Sequence, residues 1–192
     1  MSQNIGLFFG SFNPVHIGHL IIAETIVHSD SVDEVWMVVS PQNPFKKKQS
    51  LLNQYDRLHL VDIAVEKNPH IESSSIEFNL PMPSYTIDTL TYLEEKYPTK
   101  NFYLIMGEDN LKHFHKWKNY EQILEKYHLM VYPRPGYEND LYKDHPKVER
   151  LPVPKIEISA TYIRELRKQG KSIRYMVSEP VFEYIDRMNL YQ

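Results

Sequence analysis

The chain has 192 residues, of which 42% are hydrophobic and 24% charged, and its formal net charge is −3. This length suits one domain with its own core, and the mild acidity excludes a global basic field for nucleic-acid or anionic-membrane binding. The lack of cysteine excludes disulfides and thiolate metal sites. With neither a signal-peptide pattern nor a membrane-spanning apolar run, we expect a cytoplasmic, soluble domain over 1–192 with no nucleic-acid or membrane partner.

Short apolar runs alternate with amphipathic stretches through the first two thirds of the sequence. The apolar runs predict strands at 5–9, 34–40, 71–78, 102–107 and 128–133. The stretches around them predict helices at 17–29, 53–68, 86–97, 108–116 and 119–126. Near-continuous apolar strands that alternate with helices are typical of a parallel sheet covered on both faces. The sequence therefore predicts an α/β fold with a Rossmann-like, doubly wound parallel sheet.

The last third of the sequence predicts a small helical part at its end. We expect a polar loop at 134–146 and a strand at about 150–153 or 156–158. Two helices should follow, at 159–170 and 177–191. Ser159 can cap the first of these helices, and Gly170 can end it. We expect this C-terminal helical part to cover about 159–192.

The segment GSFNPVHIGH, residues 10–19, joins the first predicted strand to the first predicted helix. Such a turn presents backbone N–H groups and the positive end of the helix dipole at the sheet edge, where phosphate binds. Gly10 would allow close approach of the backbone, and Gly18 would keep the first helical turn clear of a phosphate. His16 and His19, three residues apart, can both donate to one anion. A zinc site is the weaker alternative, because no third His, Cys or carboxylate lies nearby.

This segment resembles the G-G-x-F-D-P-x-H-x-G-H signature of the nucleotidyltransferase superfamily, which shares H-x-G-H with class I aminoacyl-tRNA synthetases. A synthetase would need a much longer chain. ISATYIR, at 158–164, resembles the second motif of the superfamily, I-S-[ST]-T-x-[IL]-R. Four further blocks resemble those of bacterial nicotinate-nucleotide adenylyltransferases, in the same order: PSYTIDTL (83–90), GEDNLKHFHKW (107–117), RPG (134–136) and V-x-x-Y-I (181–185).

The sequence departs from the family pattern at four positions. Phe9 stands where glycine is usual, Asn13 where aspartate is usual, Ala160 where serine or threonine is usual, and Glu108 where a small residue is usual. None of these changes removes a phosphate contact outright. Asn13 could alter how the loop is braced.

The resemblance implies an enzyme that transfers the adenylyl group of ATP to nicotinate mononucleotide in NAD biosynthesis, giving nicotinate adenine dinucleotide and pyrophosphate. Such a transfer needs no general base, because the attacking phosphate oxygen is already ionised, so positioning and charge stabilisation remain. The expected partners are ATP and nicotinate mononucleotide, with Mg²⁺ arriving with ATP and no dedicated protein metal site. A homo-oligomer is compatible with the sequence.

The candidate site residues fall into three groups. Those expected to act on the phosphates in catalysis are His16, His19 and Arg164. Those expected to bind ATP are Gly10, Ser11, Phe12, Gly18, Lys46, Gly107, Asp109, Ser159 and Thr161. Those expected to bind the mononucleotide are Tyr85, Thr86, Trp117 and Arg134. The resemblance implies that Trp117 stacks on the pyridine ring and that the Thr86 N–H receives the nicotinate carboxylate.

The residues taken alone leave other roles open. Trp117 could be ordinary core, Asp109 could cap a helix at 110–116, and Lys46 could belong to a solvated lysine run. Arg164 could form a surface ion pair with Glu157 or Glu165.

Three other functions compete with this prediction. The first is an adenylyltransferase for nicotinamide mononucleotide or phosphopantetheine, which SYTIDTL and FHKW disfavour. The second is a dinucleotide-binding module or NAD-dependent oxidoreductase, which would require G-x-G-x-x-G, whereas no glycine follows Gly10 before Gly18. The third is a non-catalytic nucleotide sensor, which the intact His16, His19 and Arg164 disfavour.

Overall fold

The computed structural model describes residues 2–41 and 51–192. In these residues six strands form one sheet: β1 (Gln3–Gly10), β2 (Glu34–Val39), β3 (Ile71–Ser74), β4 (Lys100–Gly107), β5 (His128–Tyr132) and β6 (Val148–Arg150). Their order is β3-β2-β1-β4-β5-β6, and every neighbouring pair is parallel. The predicted α/β fold with a doubly wound parallel sheet is confirmed.

Helices connect the strands and cover both faces of the sheet. Their bounds are α1 (Ile17–Val27), α2 (Gln54–Val65), α3 (Thr86–Lys96), α4 (Glu108–Lys112), α5 (Tyr120–Lys126), α6 (Ala160–Lys168) and α7 (Glu179–Arg187). None of the helices in the described part of the chain has the length and apolar character needed to span a bilayer.

The two faces of the sheet bury two separate apolar clusters. In β1, Phe8 belongs to the cluster that holds residues of α1, α2, α6 and α7, and Leu7 belongs to the cluster that holds residues of α3, α4 and α5. Both residues are buried, which explains why the strands read as uninterrupted apolar runs. The C-terminal helices share this first cluster through Ile163 and Ile185.

Three predicted elements are longer than the observed ones. The strand predicted at 71–78 ends at Ser74, and Ile76–Asn79 forms a 3₁₀ turn that buries Glu77. The helix predicted at 108–116 stops at Lys112, before a second 3₁₀ turn over Phe114–Lys116. The last helix, predicted at 177–191, covers only Glu179–Arg187.

The last strand lies at Val148–Arg150, so it begins before both ranges expected for it, about 150–153 or 156–158, and overlaps the first only at Arg150. Leu151 still donates its backbone N–H to the carbonyl of Val131, at 2.9 Å. Pro152 has no N–H to continue the ladder, so pairing with β5 ends there. The apolar residues that suggested a strand, Leu151 and Val153, are buried in the core without extending the sheet.

Candidate active site

A cavity of about 440 Å³ opens at the carboxyl ends of β1 and β4, beside the first turns of α1 and α6. β1 and β4 are the neighbours at which the strand order reverses, and open α/β sheets bind ligands at such a point. Ten predicted site residues line the cavity: Gly10, Ser11, Phe12, His16, His19, Asp109, Arg134, Ser159, Thr161 and Arg164. The fold thus brings the two predicted motifs together.

The turn between β1 and α1 is shaped by a close approach of Phe12 to Gly10. A Cβ atom on Gly10 would lie 2.7 Å from Cζ of Phe12, so the position requires glycine. Phe12 itself has a φ of +43° and is buried, with its ring 5.7 Å from that of Phe8 and 5.0 Å from that of His19. Phe12 therefore supports the histidine ring from the core side.

The two histidines of the first motif stack on each other. Their ring centroids lie 3.6 Å apart with an interplanar angle of 22°. The backbone N–H of His16, the N-cap of α1, donates to Nδ1 of His19 at 3.2 Å. Because that nitrogen accepts, the neutral His19 ring carries its proton on Nε2, which is then a hydrogen-bond donor.

His16 is a neutral imidazole at physiological pH. Its residue is 5% exposed. Burial, followed by the positive charge of Arg134, lowers the pKa of His16 from 6.5 to about 4. His16 therefore serves as a neutral hydrogen-bonding group beside His19.

Arg164 and Ser159 join the second motif to the first. The Ser159 hydroxyl caps α6 by accepting from the backbone N–H of Tyr162 at 3.2 Å, so the hydroxyl hydrogen can donate to a ligand. Arg164 donates from Nη1 to the carbonyl of Asn13 at 2.7 Å and from Nη2 to the Thr161 hydroxyl at 3.2 Å. In the described part of the chain Arg164 forms no ion pair with a glutamate, so that alternative is wrong.

Asp109 and Arg134 face each other in the cavity lining. Nε of Arg134 lies 3.6 Å from Oδ1 of Asp109. Asp109 is the second residue of α4, and Gly107 is the N-cap, so the alternative in which Asp109 caps a helix is wrong. A Cβ atom on Gly107 would lie 2.4 Å from Oδ1 of Asp109, so this glycine leaves room for the carboxylate.

Gly18 lies outside the cavity lining. A Cβ atom there would lie 2.7 Å from Cγ2 of Ile158 and 3.1 Å from the His16 ring. The space was expected to be left for a phosphate. Instead, Gly18 lets the segment before α6 approach α1.

The other three mononucleotide candidates are not part of the cavity lining: two lie at the start of α3, and Trp117 follows the 3₁₀ turn Phe114–Lys116. Tyr85 is the N-cap of α3 and Thr86 its first residue. Lys118, which follows Trp117, donates to both carboxylate oxygens of Asp88 at 3.0 and 2.9 Å. Its ammonium lies 4.8 Å from the centre of the Tyr85 ring. This contact ties the Trp117 segment to α3, whereas Arg134 lies in the cavity with the histidines.

Trp117 is half-buried and packs with its ring 5.5 Å from that of Phe114. The alternative of a core role therefore holds for part of its surface, and stacking on a pyridine ring stays a prediction for the accessible rest. Lys46 lies outside the described residues.

Comparisons with known proteins agree with this geometry. The cytidylyltransferase-like family model matches residues 7–166. A relative from Cytophaga hutchinsonii, described as a probable nicotinate-nucleotide adenylyltransferase, is 59% identical over 183 residues and is covered, like this chain, to 95%. One from Christiangramia forsetii with the same description is 50% identical over 194 residues, with both chains fully covered. The chain belongs to the nicotinate-nucleotide adenylyltransferase family.

A solved structure shares the fold. The nicotinic acid mononucleotide adenylyltransferase of Plasmodium falciparum, complexed with NaAD, superposes with a TM-score of 0.84 at 22% identity, covering 98% of this chain and 97% of that one. This likeness supports the Rossmann-like fold predicted for the family member described here.

Sequence reasoning missed Arg57, which organises the loops beside the cavity of this family member. Arg57 is 1% exposed, although it lies on an amphipathic helix. Its guanidinium donates to four backbone carbonyls, those of Ser11, Ser40, Pro41 and Leu52, at 2.5 to 3.0 Å. Burial lowers the pKa of Arg57. No local pattern could have shown its partners, because they come from three separate segments.

Glu77 was also missed, because its segment was interpreted as a strand. It is 3% exposed and accepts from the Thr89 hydroxyl of α3 at 3.0 Å. Burial raises the pKa of Glu77, and hydrogen bonds from Ser40, Thr89 and Ser84 oppose that rise. Glu77 therefore links the end of β2 to the first turns of α3.

Proposed function

We propose that this chain transfers the adenylyl group of ATP to nicotinate mononucleotide, forming nicotinate adenine dinucleotide and pyrophosphate. The observation that carries the proposal is the meeting of His19, Ser159 and Arg164 in one cavity at the point where the strand order reverses. Membership of the family supports the same reaction. The Plasmodium falciparum protein, which was solved with NaAD, supports it independently through its fold.

The cavity suits a polyphosphate because its polar groups are mainly donors and cations. Nε2 of His19, the Ser159 hydroxyl and the backbone N–H groups at the start of α6 can donate to phosphate oxygens. Arg164 and Arg134 both line the cavity and supply positive charge. These groups are fixed by protein contacts before the ligand binds, which is the arrangement that stabilises charge developing in a transition state.

The reaction then needs alignment and charge stabilisation. A phosphate oxygen of the mononucleotide attacks the α-phosphorus of ATP, and the bond from that phosphorus to the bridging oxygen breaks. Pyrophosphate leaves with the bonding electrons. No proton has to be removed from the nucleophile, because its phosphate oxygen is already ionised. We assign His19 to the charge that grows on the α-phosphoryl and bridging oxygens, and Arg164 to the β- and γ-phosphates.

The family uses a divalent metal with ATP, and we propose that it is Mg²⁺ bound to ATP as part of the substrate. Among residues 2–41 and 51–192 no three His, Asp or Glu side chains are grouped so as to hold a metal. Asp109 is the one carboxylate in the described lining, and it faces Arg134. This lining fits a cation carried by the triphosphate, where it neutralises phosphate charge.

The mononucleotide is proposed to bind between Trp117 and the start of α3. The first N–H groups of α3, near Thr86, suit the nicotinate carboxylate, and the accessible face of Trp117 suits the pyridine ring. An amide presents an NH₂ group where the carboxylate presents an oxygen, which leaves a backbone donor unpaired at about 1–3 kcal/mol each. Two such donors predict a preference for the acid of roughly 100-fold or more.

The test is incubation with ATP, Mg²⁺ and a panel of mononucleotides, with mass-spectrometric identification of the product. We expect nicotinate adenine dinucleotide and pyrophosphate, with kcat/KM strongly favouring nicotinate over nicotinamide mononucleotide. A preference for the amide would make the chain a nicotinamide-mononucleotide adenylyltransferase. Nucleotide binding without pyrophosphate release would make it a sensor. The cytoplasmic location and a homo-oligomer stay predictions from the sequence.

A further inference from the structure

Glu108 occupies a position where the family pattern has a small residue, and it is nearly buried. The residue is 8% exposed and begins α4, directly after the end of β4. A carboxylate at such a place needs partners, because burying an unpaired charge is strongly unfavourable. Each carboxylate oxygen of Glu108 has one hydrogen-bond partner.

The first partner is the backbone of Arg134. Oε2 of Glu108 accepts from the Arg134 N–H at 3.2 Å. β5 ends at Tyr132, so Arg134 lies beyond the sheet and its N–H has no acceptor in the strand pairing. The Arg134 side chain lines the cavity and contacts Asp109. This hydrogen bond therefore fixes the backbone that carries a cationic side chain of the cavity.

The second partner is Arg150, the last residue of β6. Its Nη1 donates to Oε1 of Glu108 at 2.6 Å in an ion pair whose side chains are 30% and 10% exposed. Nη2 of Arg150 donates to the carbonyl of Leu141 at 3.0 Å. Glu108 therefore connects the start of α4 to β6 and, through Arg150, to the loop that follows Arg134.

We propose that Glu108 is a positioning residue, which acts on the bound nucleotide by holding Arg134 in place against the cavity. The proposal rests on the proposed function, in which Arg134 faces a substrate phosphate. A small residue at 108 would leave the Arg134 N–H without this acceptor and Arg150 without its carboxylate. Either loss would let the Arg134 segment move, and small displacements of a charge-stabilising group reduce turnover strongly.

The test is a double-mutant cycle on Glu108→Gln and Arg134→Ala. We expect Glu108→Gln to lower kcat/KM about 10-fold, because one amide oxygen cannot serve both partners. In the Arg134→Ala background the same change should have an effect of less than about 2-fold, since Glu108 acts through Arg134. Equal effects in both backgrounds would show a merely structural role and overturn the proposal.

Lys143→Gln is the matched control, because it breaks an exposed ion pair with Asp140 within the loop that follows Arg134, and we expect it to leave the kinetics unchanged. If Glu108→Gln does not fold, as judged by thermal unfolding, Arg150→Gln replaces it in the cycle with the same expectation.

Calorimetric binding keeps this test separate from the proposed reaction. The dissociation constants of Mg·ATP and of nicotinate mononucleotide are measured for each variant. We expect the ligand weakened by Arg134→Ala to be the one weakened by Glu108→Gln. If the wild type binds both ligands but forms no dinucleotide, the proposed function fails and the binding cycle still decides the role of Glu108. If Arg134→Ala changes neither constant, the proposal is overturned.

Discussion

The cavity beside the β1–α1 turn and the region around the first turn of α3 are built in different ways. The cavity is supported by buried polar groups, among them His16 and Arg57, which are 5% and 1% exposed. The start of α3 is tied to the Trp117 segment by Lys118 and Asp88, whose side chains are 44% and 49% exposed. The groups of the cavity are fixed by the interior of the protein. The start of α3 is anchored by the buried Glu77, but its link to the Trp117 segment lies at the surface.

This difference matches what each region is proposed to do. Groups that stabilise developing charge are effective when they are held in place before the reaction. A region that recognises one substrate among similar ones can adjust on binding, and exposed ion pairs typically contribute only about 0–1 kcal/mol. We therefore expect changes in the cavity to have large effects on turnover, and changes near α3 to have smaller effects confined to the mononucleotide.

Replacement of His19 should have the largest effect. We expect His19→Ala to reduce kcat by about 10²–10³, because it removes a fixed donor from the reacting phosphate. The fold should persist, because His19 is only half-buried. His28→Ala is the matched control, since His28 is the C-cap of α1 and its side chain is 70% exposed, with Nε2 3.3 Å from the Glu24 carboxylate. A folded His19→Ala enzyme with normal kcat would contradict the assignment.

The titration of His16 tests how firmly the cavity is buried. The pKa of His16 is lowered to about 4 in the folded protein, against 6.5 for the ordinary side chain. Between these pH values the unfolded chain binds a proton that the folded protein does not, so stability falls as pH falls through this window. The loss should approach about 3 kcal/mol near pH 4.

Urea unfolding at pH 7, 5.5 and 4.5 measures this dependence. His16→Gln should remove the part of the slope that arises below pH 6.5, because glutamine does not titrate. An identical slope in the variant would show that His16 is accessible to protons in the folded state. It would also remove the distinction between the two regions.

Local patterns were enough to predict much of this molecule. The buried apolar runs identified five of the six strands, because strands covered on both faces need uninterrupted apolar sequence. The two motifs predicted a common cavity, since the ends of parallel strands meet at one edge of the sheet. The sixth strand was misplaced, because a strand of three residues carries too little pattern to be recognised.

Residues whose burial depends on distant partners could not be predicted. The Arg57 guanidinium is satisfied by carbonyls near residues 11, 40 and 52, and the Glu108 carboxylate by residues 134 and 150. Apart from the Leu52 carbonyl, which lies five residues before Arg57, these partners are distant in sequence and meet the charge only after the chain has folded. A charged residue on a helix is otherwise expected at the surface.

Replacement of Trp117 should have a moderate effect that is confined to one substrate. We expect Trp117→Ala to raise KM for nicotinate mononucleotide about 10-fold, because stacking of a base on an aromatic side chain typically contributes about 1–3 kcal/mol. KM for ATP should stay unchanged, because Trp117 lies outside the histidine cavity. Tyr92→Ala removes another partly exposed aromatic ring, on α3, and should leave both KM values unchanged. Equal rises for both substrates would place Trp117 in the structural core of the site.

The smallest expected effects are those of replacing Lys118 and Asp88, and the two replacements should change the preference for the acid in opposite directions. Nicotinate carries a negative charge that nicotinamide lacks, so a nearby ammonium favours the acid and a nearby carboxylate disfavours it. Because both side chains are about half exposed, water and salt screen this influence. We expect Lys118→Gln to lower the ratio of kcat/KM for the acid over the amide about 2- to 3-fold at low salt, and Asp88→Asn to raise it by a similar factor. Both shifts should shrink in about 0.5 M salt, as the screening length shortens.

Lys96→Gln, at the other end of α3, is the control and should change nothing. Shifts of the same sign in the two variants would show that the pair only holds the two segments together, and that selection of the acid depends on the backbone of α3.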